Sequence, residues 1–128
     1  MNNINSLLFF VGFILISHVS CTGQKTWIDL DVEQAISMFD STDVVFLDVR
    51  EPDELEEDGF VEGSINIDFY QDDFEDKLNQ LDRSKKYVVY CRSGRRSAKT
   101  CEMMNEMGFE KLYNIKEGYD PAIKRKLD

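Results

Sequence analysis

The sequence predicts an α/β protein with a doubly wound, mostly parallel sheet of five strands and with helices on both faces. Two observations predict this class. Five short runs rich in β-branched and aromatic residues alternate with segments in which apolar residues recur at helical spacing. The runs that begin at Val44 and Tyr87 are almost continuously apolar, as strands covered on both faces must be. This βα alternation is typical of a doubly wound sheet.

The first half of the domain contains three predicted strands, over residues 27–30, 44–50 and 64–67. Asp31 is placed to cap a helix that runs through Phe39, and Gln34 completes a capping-box pattern. A short acidic helix is expected from Glu51, because the proline that follows is tolerated in a first turn.

The second half contains the last two predicted strands, over residues 86–91 and 111–115, and a helix over 72–81. The helix after residue 91 is expected to run to Met107, since Gly108 supplies a stop. Its inward positions are predicted to be Ala98, Cys101, Met104 and Met107. A short basic helix is expected after Pro121.

The chain is strongly acidic, with a formal net charge of −10 over 128 residues. This balance argues against nonspecific binding to nucleic acid or to an anionic membrane surface. Thirteen acidic residues and one lysine lie between Glu51 and Asp82, which we interpret as a solvated acidic face. The length fits a single domain, and we expect a monomer.

The only histidine, His18, lies in the N-terminal segment, so the folded part of the chain has none. This excludes Cys–His and Ser–His–Asp sites and any histidine-ligated zinc site. We expect neither a metal nor a cofactor.

The N-terminal segment predicts export. Residues 7–16 are apolar or glycine, too few to span a bilayer but typical of a secretory signal. Small residues then precede Cys21, which resembles a bacterial lipoprotein signal in which that cysteine is lipidated. His18, and the lack of lysine or arginine before residue 7, depart from that pattern. An ordinary cleaved signal and an uncleaved anchor are the alternatives.

The expected layout is an export segment over 1–21, a tether over 22–26 and a domain over 27–128. We expect a periplasmic or cell-envelope lipoprotein that meets the membrane only through its N-terminal anchor. A soluble periplasmic protein is the alternative.

The stretch from Cys91 to Ser97 carries the clearest chemical signal. Cys91 ends a buried strand, and a Ser-Gly turn leads into a helix, so several backbone N–H groups and the helix dipole surround one point. Arg92, Arg95 and Arg96 lie within five positions of the cysteine, so the local field favours the thiolate. The pattern predicts a reactive cysteine that faces a small anion.

Simpler interpretations exist for the same residues. A free cysteine at a strand end is usually a small hydrophobe, and the arginines could be a solvated helix start. Cations are unfavourable at a helix N-terminus, however, so several of them indicate a bound anion. Asp48 and Arg50 lie at the carboxyl end of another strand, the edge at which such sheets bind ligands.

Cys101 is expected to be a core residue. It lies nearly two turns along the helix, ~10 Å from the helix start, whereas a disulfide needs Cα atoms within ~7 Å. A bridge to Cys91 is therefore not expected.

Residues 91–97, Cys-Arg-Ser-Gly-Arg-Arg-Ser, are similar to an active loop of the form Cys-Arg-x-Gly-x-Arg-Ser/Thr. Three flanking stretches agree with it in order and spacing, at residues 47–54, 59–67 and 108–118. Together they resemble the single-domain rhodaneses, a family of sulfurtransferases, over residues 27–127. Phe60, Glu62 and Glu117 depart from the residues usual in that family. The last of these borders the site in the family and bears on the choice of acceptor.

The resemblance implies a rhodanese fold and a persulfide mechanism. The Cys91 thiolate would take the outer sulfur of a small anionic donor such as thiosulfate. The persulfide would lie among N–H groups from Arg92 to Arg96 and pass its sulfur to cyanide, a thiol or a protein acceptor. The implied substrate-binding loop consists of Arg92, Ser93, Gly94, Arg95, Arg96 and Ser97.

Within that loop, Arg92 and Arg96 would hold the donor, and Gly94 would let the backbone approach closely. Asp48 and Arg50 would support the loop or form a structural ion pair at the strand end. No nucleic acid partner is implied.

Two other functions are alternatives for a chain with this loop. Cysteine phosphatases and arsenate reductases also cradle an oxyanion over a cysteine, but they need arginine six positions after it, where this chain has Ser97. The second is a non-catalytic or redox module that uses a rhodanese-like domain to bind partners. The intact loop argues against a loss of activity.

Overall fold

A computed structural model of the chain describes residues 25–119 and residue 123. Within that part, five strands alternate with four helices. The elements are β1 (Ile28–Leu30), α1 (Val32–Ser37), β2 (Val44–Asp48), α2 (Pro52–Asp58), β3 (Ile65–Asn66), α3 (Phe74–Asn79), β4 (Lys86–Tyr90), α4 (Arg95–Glu106) and β5 (Leu112–Ile115).

The strands form one sheet in the order β1-β5-β4-β2-β3, and each pair of neighbours in it is parallel. β4 is central, and its register with β2 pairs Tyr90 with Asp48. The carboxyl ends of β2 and β4 therefore meet at one edge of the sheet. This arrangement confirms the predicted α/β fold class.

Alternate side chains of β4 enter two different cores, as the pleat of a strand requires. Val89 and Cys91 face one apolar cluster, to which α3 and α4 contribute buried side chains. Val88 and Tyr90 face the other, to which α1 and Tyr119 contribute. Cys91 therefore lies on the same face of the sheet as α4.

The bounds of some elements differ from those predicted. β2 ends at Asp48 and not at Arg50, whose N–H turns back to Asp48 Oδ1 at 3.0 Å. The first and third helices are each shorter than the apolar pattern predicted. The capping box of Asp31 and Gln34 is present as predicted.

Some predictions lie outside the described residues. These are the export segment over 1–21, the tether up to residue 24 and the basic tail helix, apart from the buried Ile123. In residues 25–119, none of the helices has the length and apolar character needed to cross a bilayer.

Candidate functional site

The loop after β4 joins the strand to α4 through Gly94, which caps the helix with a φ of +83°. A Cβ at this position would lie 2.2 Å from the carbonyl oxygen of Lys116. Gly118 meets the loop from the other side, since a Cβ there would lie 2.1 Å from the carbonyl oxygen of Arg92. The two glycines let the loop and the turn after β5 pack backbone against backbone.

The base of the loop is held by main-chain hydrogen bonds. The Tyr119 N–H donates to the Cys91 carbonyl at 2.6 Å, and the Val49 N–H donates to the Tyr90 carbonyl at 3.0 Å. The backbone around Cys91 is therefore fixed both by the neighbouring strand β2 and by the segment after β5.

The Cys91 thiol is fully buried and surrounded by hydrogen-bond donors. Burial by itself raises the pKa of this thiol. The Ser97 hydroxyl and the backbone N–H groups of Ser97, Ser93 and Gly94 outweigh that effect and lower the pKa below its ordinary value. The loop thus favours the thiolate through donors from three residues.

Ser97 also connects Cys91 to the edge of the sheet. Its single hydroxyl hydrogen is shared between two acceptors, Cys91 Sγ at 3.4 Å and Asn114 Oδ1 at 2.6 Å. Asn114 Nδ2 in turn donates to Asp29 Oδ1, on β1, at 3.0 Å. The bond to Asp29 fixes which end of the Asn114 amide faces Ser97.

Two of the loop arginines are paired with carboxylates of α2. Arg96 holds Glu54 through two hydrogen bonds of 2.8 Å, and Arg92 contacts Glu54 at 3.2 Å and Asp58 at 2.8 Å. The Arg96 contact is the main reason that the pKa of Glu54 falls to about 2. Glu54 in turn raises the pKa of Arg96.

This pairing corrects one interpretation of the acidic stretch. Glu54 is not part of a solvated face, since only 14% of its side chain is exposed and it bridges Arg92 and Arg96. The anion that accompanies these arginines is therefore supplied, at least in part, by the protein itself. Each guanidinium still has N–H donors left, because two of its five are used in these hydrogen bonds.

The remaining loop side chains point outward. Ser93 and Arg95 are exposed. Within the described residues, no ion pair to Arg95 is formed.

Asp48 and Arg50 form a fully buried ion pair at the end of β2, with Nη2 and Oδ2 2.7 Å apart. Arg50 also donates to the Gly59 carbonyl at 2.9 Å, and its guanidinium lies 4.0 Å from the centre of the Tyr119 ring. Despite burial, the pairing with Asp48 raises the pKa of Arg50. The pair contacts the cluster opposite Cys91, and its guanidinium lies near the rings of Tyr90, which directly precedes Cys91, and of Tyr119, whose N–H holds the Cys91 carbonyl.

Cys101 is buried in α4, and neither Cys91 nor Cys101 forms a disulfide. The Cys101 thiol donates to the Tyr113 carbonyl at 3.7 Å, and burial raises its pKa. Cys101 is therefore a core residue, as predicted.

Sequence reasoning missed Glu54, Asn114, Asp29 and Tyr119 as neighbours of the loop. Their contacts with it join residues far apart in the chain, for which local spacing offers no signal. A charge-balance argument could have found Glu54, because three clustered arginines call for nearby carboxylates. In residues 25–119, no group of three or more His, Cys, Asp or Glu side chains is arranged to hold a metal ion.

Fold and site together define a class: an α/β protein that holds a single cysteine in an N–H-lined loop at the carboxyl edge of a parallel sheet. The family model for the rhodanese-like domain matches residues 31–123. The chain belongs to the rhodanese-like domain family.

Known relatives agree with this assignment. The chain is 33% identical over 103 residues to YtwF of Bacillus subtilis, whose name assigns it provisionally to the sulfurtransferases; the match covers 80% of this chain and 86% of that protein. A rhodanese-related protein from Thermoplasma volcanium has a similar structure, with a TM-score of 0.65, 29% identity and coverage of 77% of this chain and 93% of the other.

A third similar structure carries a different functional description. It is a Rhodopseudomonas palustris protein of unknown function, described as a possible tyrosine phosphatase, with 31% identity and a TM-score of 0.60. The match covers 72% of this chain and 76% of that protein. Similarity at this level shows that the two proteins share a fold.

Proposed function

We propose that the protein is a sulfurtransferase in which Cys91 carries sulfur as a persulfide. The observation that carries this proposal is the geometry of the loop, which surrounds the buried Cys91 sulfur with the Ser97 hydroxyl and the backbone N–H groups of Ser93, Gly94 and Ser97. A persulfide anion needs the same donors as a thiolate. Membership of a family with sulfurtransferase members supports the reaction class.

In the first step, the Cys91 thiolate attacks the outer sulfur of a donor such as thiosulfate. The S–S bond of the donor breaks, and sulfite leaves with the electron pair. In the second step, cyanide, a thiol or a protein acceptor attacks the outer sulfur of the persulfide, and Cys91 leaves as a thiolate. The remaining N–H groups of Arg92 and Arg96 bind the anionic donor beside Glu54.

The test is the mass of the intact protein after incubation with thiosulfate. The reduced protein should gain one sulfur atom, lose it again on addition of cyanide or a thiol, and gain none as Cys91→Ser. Cys101→Ser is the matched control and should load sulfur like the wild type. A folded, reduced sample that gains no sulfur would contradict thiosulfate as the donor and favour a non-catalytic binding module.

A phosphatase is the second candidate, favoured by the similarity to the Rhodopseudomonas palustris structure. The loop argues against it, because the arginine stands five positions after Cys91 and not six. We expect no hydrolysis of p-nitrophenyl phosphate above that of Cys91→Ser. Hydrolysis of p-nitrophenyl phosphate that depends on Cys91 would favour the phosphatase over the sulfurtransferase.

We also propose that the protein is exported, with Cys21 lipidated. The apolar run over residues 7–16 and the small residues before Cys21 support this proposal. Globomycin, an inhibitor of lipoprotein signal peptidase, should cause the full-length precursor to accumulate in a bacterial host. Unchanged processing would instead favour an ordinary cleaved signal or an uncleaved anchor.

A further inference from the structure

A pocket of about 310 Å³ lies beside the first turns of α4, next to the Cys91 loop. Its lining combines aromatic and cationic side chains: Phe69, Tyr70, Arg95, Arg96 and Lys99. This combination suits a small ligand that has an apolar part and a negatively charged part.

The charge near the loop is unevenly balanced. The side chains of Arg92 and Arg96 are paired with Glu54 and Asp58. Arg95 and Lys99 form no ion pair with any residue of the described part of the chain. The protein as a whole is acidic, but beside the loop the positive charges that no carboxylate of the described residues neutralises are those of Arg95 and Lys99, and both line the pocket.

The aromatic wall of the pocket is held in place by a short loop. The rings of Phe69 and Tyr70 meet edge to face with centres 5.4 Å apart, and Tyr70 is 59% exposed. Asp68 accepts hydrogen bonds of 3.0 Å from the Tyr70 N–H and from the Gln71 side chain. The exposed Tyr70 ring thus lies over the Arg96 guanidinium, with the ring centre 5.6 Å from Arg96 Cζ.

The pocket and the Cys91 thiol share one face and one edge of the sheet. The Phe69 N–H donates to the Val49 carbonyl at 3.3 Å, and Val49 lies beside Cys91 at the end of the sheet. The Phe69 ring packs against the apolar cluster that contains Cys91. The backbones of Phe69 and Cys91 are thus about two strand spacings, ~10 Å, apart. Arg96 lines the pocket, and its pKa is also raised by the nearby Cys91 thiolate.

We propose that this pocket is an acceptor subsite that binds a small thiol carrying carboxylate groups. The proposal rests on the sulfurtransferase function proposed above. The carboxylates would lie against Arg95 and Lys99, the carbon chain against Tyr70, and the thiol would point toward Cys91.

The transfer step balances without an added oxidant or reductant. The acceptor thiolate attacks the outer sulfur of the Cys91 persulfide, the S–S bond breaks, and Cys91 leaves with the electron pair as a thiolate. The acceptor leaves as its own persulfide. Because the outer sulfur lies ~2 Å from Sγ, the acceptor does not have to reach the buried Sγ itself.

The first test compares three acceptors on protein that has been loaded with sulfur from thiosulfate. Mercaptosuccinate is a dicarboxylate, 2-mercaptoethanol is neutral and cysteamine is a cation. Loss of sulfur is followed in a single turnover for the wild type, for Lys99→Glu and for the control Lys111→Glu. Lys111 is exposed and lies just before β5, at the opposite edge of the sheet.

Lys99→Glu should slow transfer to mercaptosuccinate about fivefold, a change of ~1 kcal/mol. Transfer to 2-mercaptoethanol should not change, and transfer to cysteamine should become faster. For each acceptor, the rate with the variant is divided by the rate with the wild type. Differences in intrinsic reactivity among the three thiols therefore cancel. Equal effects on all three acceptors, or an equal effect of Lys111→Glu, would overturn the subsite.

A second measurement does not require sulfur transfer. Cys91→Ser, which cannot load sulfur, is titrated with mercaptosuccinate and followed by amide NMR. Shifts confined to residues 69–70 and 95–99, and weakened by Lys99→Glu, are expected. Their absence would overturn the subsite even in a protein that transfers sulfur. Their presence in a protein that takes no sulfur would support the pocket while the proposed function fails.

Discussion

Cys91 and Cys101 are both fully buried and contact the same apolar cluster, yet their pKa values move in opposite directions. Burial raises the pKa of both thiols. At Cys91, the Ser97 hydroxyl and three backbone N–H groups reverse that effect. At Cys101, the partner is the Tyr113 carbonyl, which accepts a hydrogen bond from the neutral thiol.

The difference comes from where each cysteine lies in its element. Cys91 lies between a strand and the first turn of α4, where N–H groups have no partner within the helix. Cys101 lies inside α4, where N–H groups are bonded to carbonyls one turn earlier. In this protein the donors around the sulfur, and not its exposure, distinguish a thiolate from a core thiol.

The largest effect is expected from exchanging each sulfur for oxygen. Cys91→Ser should reduce sulfur transfer to background and leave the fold intact. Cys101→Ser should keep turnover within about twofold but lower the free energy of unfolding by about 1–2 kcal/mol, because a hydroxyl is less suited to the core. Turnover and urea unfolding of both variants check this contrast. A large loss of turnover in a folded Cys101→Ser would make Cys101 a resolving thiol.

The next largest effect is expected from distorting the loop. Gly94→Ala should destabilise the protein by about 3 kcal/mol and strongly reduce the reactivity of Cys91, because its Cβ would collide with the Lys116 carbonyl. Gly63→Ala is the matched control, with a φ of +76° but no atom beyond the adjacent residues within 4 Å of the added Cβ. It should cost only about 1 kcal/mol of backbone strain. Equal losses of stability and of Cys91 reactivity in the two variants would refute a role for the close packing.

A smaller effect is expected from removing a single donor. Ser97→Ala should raise the pKa of Cys91 and slow its alkylation near neutral pH about tenfold, since a hydrogen bond to a charged group is lost. Ser97→Thr keeps the hydroxyl and should restore the pH profile. The pH dependence of iodoacetamide reaction at Cys91 gives the answer. An unchanged pH profile in Ser97→Ala would show that the backbone N–H groups alone lower the pKa of Cys91.

The smallest effect is expected from removing the charge of Glu54, which pairs with Arg92 and Arg96 beside Cys91. The pKa of Glu54 is lower in the folded protein, about 2, than its ordinary value of 4.5. Its ionic contribution to stability is therefore fully present above pH 4.5 and is lost as the pH falls toward 2. Glu54→Gln should cost about 1 kcal/mol at pH 7 and progressively less at pH 4 and pH 3.

Urea unfolding at these pH values measures the Glu54 contribution. Glu57→Gln is the matched control, because Glu57 is exposed on the same helix. It should have no comparable pH-dependent effect. A cost of Glu54→Gln that stays constant with pH would mean that the ion pair contributes nothing to stability.

Much of this arrangement could be predicted from the sequence because it depends on local pattern. The alternating apolar runs predict the strands and helices. A strand that ends before Cys91, followed by a turn at Gly94 and a helix, predicts the cluster of N–H groups around the cysteine. The position of Cys101 inside the helix was enough to place it in the core.

The rest depends on contacts between distant parts of the chain. The sequence pattern places Glu54 in a solvated acidic stretch, because nothing in residues 51–58 shows that α2 lies against the loop. Asn114 reaches Ser97 only because β5 lies beside β4 in the sheet. Such pairings follow from strand order and side-chain direction, which spacing along the chain does not encode.

The most direct test of the central claim is a pH titration of alkylation, read separately at Cys91 and Cys101 in the same molecules. The native protein is treated briefly with iodoacetamide between pH 5 and 10, and the modified peptides are quantified by mass spectrometry. We expect Cys91 to react with an apparent pKa below that of an ordinary cysteine, and Cys101 to stay unmodified throughout. Equal reactivity of the two cysteines, or an apparent pKa of Cys91 at or above the ordinary value, would contradict the account.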